Sequence, residues 1–171
     1  MRVYTQTELD DLIAVPKLIT EAPKKAMRLE RGSRRNDMGL QSEDKTWDFS
    51  AFMRVNETFP ENFSIGLNYL PRDERGMLCL LRCNGRHGEY LGGPQGIHHL
   101  YHVHRAKAAN LEAGFRAERG GEPTSDYASY EEALAYFVKV ANVKNASEFF
   151  PNVLQRPFSF EGHRKMRFDE D

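Results

Sequence analysis

The chain has 171 residues with 24 Lys or Arg and 25 Asp or Glu, giving a formal net charge of −1. This length suits one domain, and the balanced charge excludes a global basic field of the kind that attracts nucleic acid. No apolar run approaches the length of a membrane span, and the first residues lack the apolar core of a signal peptide. We therefore predict a cytoplasmic protein with no membrane partner.

The first predicted element is a helix that begins with a capping box formed by Thr5 and Glu8. Pro16 kinks or ends its first part, and Leu18 and Ile19 are expected to continue it.

Alternation of apolar and polar residues with period two predicts five strands. They lie within 27–30, 47–56, 63–69, 77–83 and the histidine-rich run H-H-L-Y-H-V-H-R at 98–105. The polar stretch 32–37 is predicted to be a loop. Short loops between consecutive strands favour antiparallel pairing in a meander. Cys79 and Cys83 are four residues apart in one strand, so they are expected on the same side as free, buried thiols.

Two further helices are predicted after the strands, one over about 106–117 and one that begins with a capping box of Ser129 and Glu132. The predicted fold is α+β: a single curved antiparallel sheet of about five strands, with the N-terminal helix and two C-terminal helices on one face. Residues 1–157 are expected to form one domain, and 158–171 a charged, flexible tail.

Polar side chains are predicted to share the sheet face opposite the helices. A histidine or carboxylate there could activate a ribose 2′-hydroxyl, a second group could protonate the leaving oxygen, and arginine suits the charge on phosphorus. The first hypothesis is therefore a metal-independent, toxin-type endoribonuclease that needs no cofactor. Its candidate catalytic residues are His102, His104, Arg82, Arg54, Asp48 and Glu30.

A second set of candidate residues lies in the basic segment 24–35, which is predicted to follow an RNA backbone. These nucleic-acid-binding residues are Lys24, Lys25, Arg28, Arg31, Arg34 and Arg35.

Other interpretations of the same residues stay open. The chain could be a non-catalytic binding protein, such as a phage or mobile-element inhibitor or adaptor that binds a protein partner. It could also be a metal protein, because His102 and His104 share a strand face with His98 one pleat pair away. Cys83 and His87 could form a catalytic pair, or the histidines could be purely structural. The residues do not decide whether the chain is an enzyme or whether it forms a homodimer.

Three segments carry a family resemblance: R-C-N-G-R-H-G at 82–88, Y-H-V-H-R-A at 101–106 and T-S-D-Y-A-S-Y-E-E-A-L-A-Y-F at 124–137. Together they resemble an uncharacterised family of small prokaryotic α+β proteins from mobile-element and defence-type neighbourhoods, over about 63–143. The resemblance implies a bacterial conflict system, with RNA or a protein as partner. It implies no catalytic residues, since that family has no established activity.

Overall fold

One antiparallel sheet of eight strands dominates the structure, a computed structural model that describes residues 2–87 and 96–154. Within these ranges, five short helices and one 3-10 turn at Ile97–His99 accompany the sheet. The elements in chain order are α1 (Gln6–Ala14), β1 (Lys17–Glu21), β2 (Arg28–Glu30), β3 (Ser33–Ser42), β4 (Asp48–Asn56), β5 (Phe63–Leu70), β6 (Leu78–Asn84), β7 (His102–Arg105), α2 (Ala108–Glu112), β8 (Glu122–Pro123), α3 (Tyr130–Val140), α4 (Ala146–Phe149) and α5 (Pro151–Leu154).

Helix α1 begins and ends where local sequence signals place it. The Thr5 hydroxyl accepts a hydrogen bond from the Glu8 amide, and the Glu8 carboxylate accepts one from the Thr5 amide, so the capping box is confirmed. The helix ends at Ala14, before Pro16. The predicted helical continuation through Leu18 and Ile19 is wrong, because these residues form β1 and pair with β3.

Strands β3 to β8 follow one another as a meander, each antiparallel to the next. Both β1 and β2 pair with the long strand β3: β2 with its first residues and β1 with its last. The expectation of about five strands is therefore wrong, and so is the polar loop at 32–37, since 33–37 lie in β3. These residues are polar, which predicts a loop. They form a strand because backbone N–H and C=O groups pair between strands whatever the side chains are.

Helices α1 and α3 pack against the apolar face of the sheet. Helix α1 contacts β6, and α3 contacts β5 and β6. The core between them is fully buried and includes Leu9 of α1, Phe137 of α3, and Phe49 and Leu67 of the sheet. Burying aliphatic and aromatic side chains of this size contributes about 1.5–3 kcal/mol each, so this layer is the main source of stability.

The predicted C-terminal helices are only partly present. The helix expected over 106–117 is confined to α2 and ends before Gly114, whose φ of 75° leaves the helical region. Helix α3 begins at Ser129, whose hydroxyl accepts from the Glu132 amide at 3.1 Å. The Glu132 carboxylate accepts instead from the Ala128 amide at 2.7 Å. Helices α4 and α5 follow where none was predicted.

A β-bulge in β6 separates the two cysteines. Leu81 pairs with Leu67, but the next pair is Cys79 with Asn68, so one residue of β6 is left over. The bulge reverses the alternation, and Cys83 faces the core whereas Cys79 faces the opposite side. The same-side prediction is therefore wrong, although both thiols are free.

No helix in the described ranges is long and apolar enough to cross a membrane. The predicted tail at 158–171 lies outside the described residues.

Candidate metal centre

The sheet face opposite α1 and α3, here called the polar face, carries the candidate site. Residues directly opposite one another in antiparallel strands point to the same side, so the register defines rows of neighbours across this face. One row consists of Arg28, Arg35, Arg54, Ser64, Asn84 and His102, and the next of Asp37, Phe52, Gly66, Arg82 and His104.

His102 in β7 is fully buried, and its ring is fixed by hydrogen bonds at both nitrogens. Its Nδ1 lies 2.7 Å from the carbonyl oxygen of Leu100, so Nδ1–H donates to that oxygen. Its Nε2 lies 3.2 Å from the amide nitrogen of Asn84 and accepts from it. The Ser64 hydroxyl donates to Asn84 Oδ1 at 2.7 Å, which orients the amide. His102 is therefore a neutral imidazole whose Nε2 carries the lone pair.

Two more histidines meet His102 from separate segments. The His87 amide donates to the His98 carbonyl at 3.0 Å, and Arg86 Nε donates to the His99 carbonyl at 2.9 Å. These bonds tie the end of β6 to the 3-10 turn. Ring centroids are 4.8 Å apart for His87 and His98, 5.0 Å for His87 and His102, and 5.7 Å for His98 and His102. We call these three residues the histidine triad.

Local packing explains how the chain reaches this position. A Cβ at Gly85 would lie 1.9 Å from the carbonyl oxygen of Glu61, so only glycine lets β6 continue past this loop toward His87. Under the triad, the buried Tyr127 hydroxyl donates to the His102 carbonyl at 2.7 Å and lies 3.1 Å from the Asn84 carbonyl oxygen. Tyr127 therefore holds the ends of β6 and β7 together.

The surroundings keep His87 and His102 neutral. Burial, followed by the neighbouring His102, His98 and Arg82, lowers the pKa of His87 to about 4. Burial also lowers the pKa of His102, with smaller contributions from His98 and Arg82. Neutral imidazoles offer their lone pairs at pH 7, which is the state that metal coordination requires.

The triad fits a metal ion in ligand type and geometry. One ring nitrogen from each residue lies within 4.8 Å of the others. Nitrogens that bind one Zn²⁺ tetrahedrally at about 2.1 Å would be about 3.4 Å apart. Nitrogens 4.8 Å apart would therefore have to approach by about 1.4 Å. Metal-bound histidines usually donate their other N–H to a carbonyl or carboxylate, as His102 does to Leu100. Binding at His102 Nε2 would replace the hydrogen bond from Asn84.

His104 lies beside the triad without belonging to it. Its ring centroid is 5.0 Å from that of His102, and its Nδ1–H donates to the Glu118 carbonyl at 2.9 Å. Its Nε2 is buried, with no hydrogen-bond partner among the described residues. Burial and the adjacent Arg82 lower the pKa of His104 to about 4. In the described part of the chain, no Asp, Glu or Cys joins the triad as a further ligand.

Of the other predicted catalytic residues, Arg82 lies beside this site, directly opposite His104. The remaining three lie elsewhere. Arg54 shares the row of His102 but is three strands away, about 14 Å at the usual strand spacing. Asp48 lies at the other end of β4, where its oxygens accept from Arg72 at 2.6 and 3.1 Å. Glu30 is in β2, five strands from β7, and pairs with Arg28 at 3.2 Å.

The predicted nucleic-acid-binding residues also divide between places. Arg28 and Arg35 are directly opposite each other on the polar face. Arg34 points to the other face and pairs with Glu57 at 3.1 Å, and Arg31 lies in the turn before β3 with a φ of 49°. Lys24 and Lys25 are exposed between β1 and β2.

His87 is the member of the triad that the sequence did not indicate as a metal ligand. A catalytic pair of His87 with Cys83 was one open interpretation, but the Cys83 side chain faces the core. Its real neighbours are 11 and 15 positions further along the chain. The useful signal was Gly85, since a glycine directly after a strand often marks a close backbone contact that redirects the chain.

No protein-family model, no curated protein and no solved structure matches this chain. The fold and the site define its class directly: an α+β protein with one eight-stranded antiparallel sheet and three convergent histidines at one end of its polar face. The family resemblance of segments 82–88, 101–106 and 124–137 stays a prediction.

Proposed function

We propose that this protein binds a divalent transition metal ion, best matched by Zn²⁺, through His87, His98 and His102. The observation that carries the proposal is the convergence of three ring nitrogens within 4.8 Å. The fixed tautomer of His102 supports it, since the proton sits on Nδ1 and Nε2 is left as the ligand atom. Imidazole ligands suit zinc, copper, iron and nickel rather than magnesium or calcium.

A three-histidine site leaves coordination positions for water or substrate, which is typical of catalytic rather than structural zinc sites. A bound water in such a site loses a proton near neutral pH. A cavity of about 420 Å³ adjoins the triad through His87 and is also lined by Arg86, Glu61 and Phe59. A small polar substrate could approach the metal there, so the proposal extends to metal-assisted hydrolysis.

The metal-independent ribonuclease hypothesis has less support from the geometry. A general acid must reach its substrate and carry a proton. His102 is fully buried, and His104 is 7% exposed. With a pKa of about 4, His104 is neutral at pH 7 and has no extra proton to donate. His102 is therefore better suited to metal coordination, and His104 to packing, than either is to acid–base catalysis.

Metal binding can be tested directly on the full chain. The protein is stripped with chelator, titrated with Co²⁺ and Zn²⁺, and analysed for bound metal after dialysis. Visible absorption of Co²⁺ reports the geometry and number of nitrogen ligands. We expect one ion per chain, with affinity reduced at least about 100-fold in His87→Ala and His98→Ala, since each loses a ligand.

His99→Ala is the matched control, because His99 lies in the same 3-10 turn but is exposed and outside the triad. It should bind metal like the wild type. Binding that survives in both His87→Ala and His98→Ala, or fails equally in His99→Ala, would exclude the triad as the site. RNA cleavage that persists in chelator and depends on His104 would favour the metal-independent ribonuclease instead.

A further inference from the structure

Three arginines lie side by side across the polar face at the edge away from the histidine triad. Arg28 of β2 is directly opposite Arg35 of β3, which is directly opposite Arg54 of β4. We call these three residues the arginine row. Neighbouring strands are about 4.8 Å apart, so the row forms a basic strip about 10 Å long between its outer strands.

The row is not explained by ion pairing within the protein. Like charges directly opposite in a sheet are destabilising. Arg28 has a partner in Glu30 at 3.2 Å. Among the described residues, neither Arg35 nor Arg54 has a carboxylate within salt-bridge distance. An external anion would supply the negative charge that Arg35 and Arg54 lack.

An aromatic ring lies directly next to this row. Phe52 belongs to β4, two residues before Arg54, so both side chains project from the polar face. Its half-buried ring lies over Gly66 of β5: a Cβ on that glycine would be 2.2 Å from the ring. Beyond Gly66, the next residue of the same row is Arg82. Phe52 thus lies on the polar face between the arginine row and a fourth arginine, Arg82.

The acidic residues around this surface limit its extent. Asp37 is directly opposite Phe52 and exposed, and Asp48 is engaged by Arg72. Between the sheet and residues 20–28 lies a cavity of about 460 Å³. Its charged lining is mixed: Lys24, Arg28 and Arg35 are basic, and Glu21, Asp37 and Asp48 are acidic. The basic strip is therefore confined to the arginine row itself.

We propose that the polar face binds single-stranded nucleic acid, with phosphates on Arg28, Arg35 and Arg54 and one base stacked on Phe52. Aromatic rings on an open antiparallel sheet, flanked by arginines, are the usual means of holding unpaired bases. This site goes beyond the metal centre and does not depend on it.

The test is fluorescence anisotropy of labelled 12-nucleotide RNA and DNA strands over a range of salt concentrations. The double variant Arg35→Gln/Arg54→Gln should lose at least tenfold in affinity. Each lost phosphate contact lowers the logarithmic salt slope by about 0.7 for single strands, so the double variant should lose about 1.4. Phe52→Leu keeps an apolar cover over Gly66 but not the stacking surface, and should lose about fivefold or more.

Arg34→Gln is the matched control, because Arg34 lies in the same strand but faces away and pairs with Glu57. It should change affinity less than twofold. The proposal is overturned if Arg34→Gln weakens binding as much as the double variant, if a duplex of the same length binds more tightly, or if no strand binds. Metal content measured on the same samples separates the two proposals: the double variant should keep its metal, and His87→Ala should keep its nucleic-acid affinity.

Discussion

We expect the buried Lys17 to contribute strongly to the stability of this fold. The side chain is fully buried at the start of β1. Its ammonium donates to the carbonyl oxygens of Ile13 at 2.8 Å, Val15 at 2.9 Å and Ala141 at 3.1 Å. These acceptors lie at the ends of α1 and α3, where carbonyls lack partners within the helix. Three N–H groups therefore meet three acceptors, with the ring of Phe49 4.6 Å away.

Lys17→Met keeps the length of the side chain and removes all three donors. A buried acceptor left without a partner costs about 1–3 kcal/mol, so three would cost about 3–9 kcal/mol. The variant no longer buries a charge, so a desolvation cost of several kcal/mol is removed and offsets part of this loss. The expected net loss in free energy of unfolding is about 3 kcal/mol. At an m value of about 2 kcal/mol/M, the urea midpoint should fall by about 1.5 M.

The assay is urea unfolding followed by far-UV circular dichroism at pH 6. Burial lowers the pKa of Lys17 to about 7, so at pH 6 the ammonium form with three N–H groups predominates. Lys25→Met is the control, since Lys25 is exposed and should shift stability by no more than about 0.5 kcal/mol. Equal midpoints for the two variants would refute the argument that this ammonium joins the two helix ends to β1.

Three further predictions concern the site and its supports. Since the folded-state pKa of His104 is about 4 and its ordinary value is 6.5, the unfolded chain binds more protons between these values. As pH falls from 6.5 to 4, this group should lower the free energy of unfolding of the metal-free protein by up to about 3 kcal/mol. In urea titrations, His104→Asn should make the dependence of stability on pH less steep. Asn84→Asp places a carboxylate 3.2 Å from His102 Nε2. Calorimetry should then show that Zn²⁺ binds about tenfold or more tightly. Unchanged affinity would contradict the assignment of Nε2 as the ligand atom of His102. Gly85→Ala brings a Cβ to 1.9 Å from the Glu61 carbonyl oxygen. It should therefore lower the free energy of unfolding by about 2 kcal/mol or more and weaken metal binding. Normal metal binding would show that the loop adapts.

Local patterns determined a substantial part of this fold. Alternation was sufficient for β4 and β5, because in each strand the apolar residues at every second position face the core. The capping box of Thr5 and Glu8 located the start of α1, since its two hydrogen bonds form within four residues. The same alternation correctly placed His102 and Arg82 on one face of the sheet.

Elements whose stability comes from distant partners could not be inferred in this way. Strand β3 is polar over its first half and is a strand because β2 and β4 pair with its backbone. Strand β1 follows a helix and a proline, and its partner is more than 15 residues away. The bulge at β6 has no marker in the alternation, although it decides which side Cys79 faces.

For the two candidate sites as well, the sequence indicated the kinds of residue and the tertiary structure decided which of them meet. Sequence alone singled out the histidine-rich run and the basic segment, because side-chain chemistry can be recognised without a structure. Only the tertiary structure brought His87 to His98 and His102, and only the strand register placed Arg54 beside Arg35. Both arrangements depend on hydrogen bonds between segments that are distant in the chain, and a one-residue shift in register would turn each set of side chains to the other face.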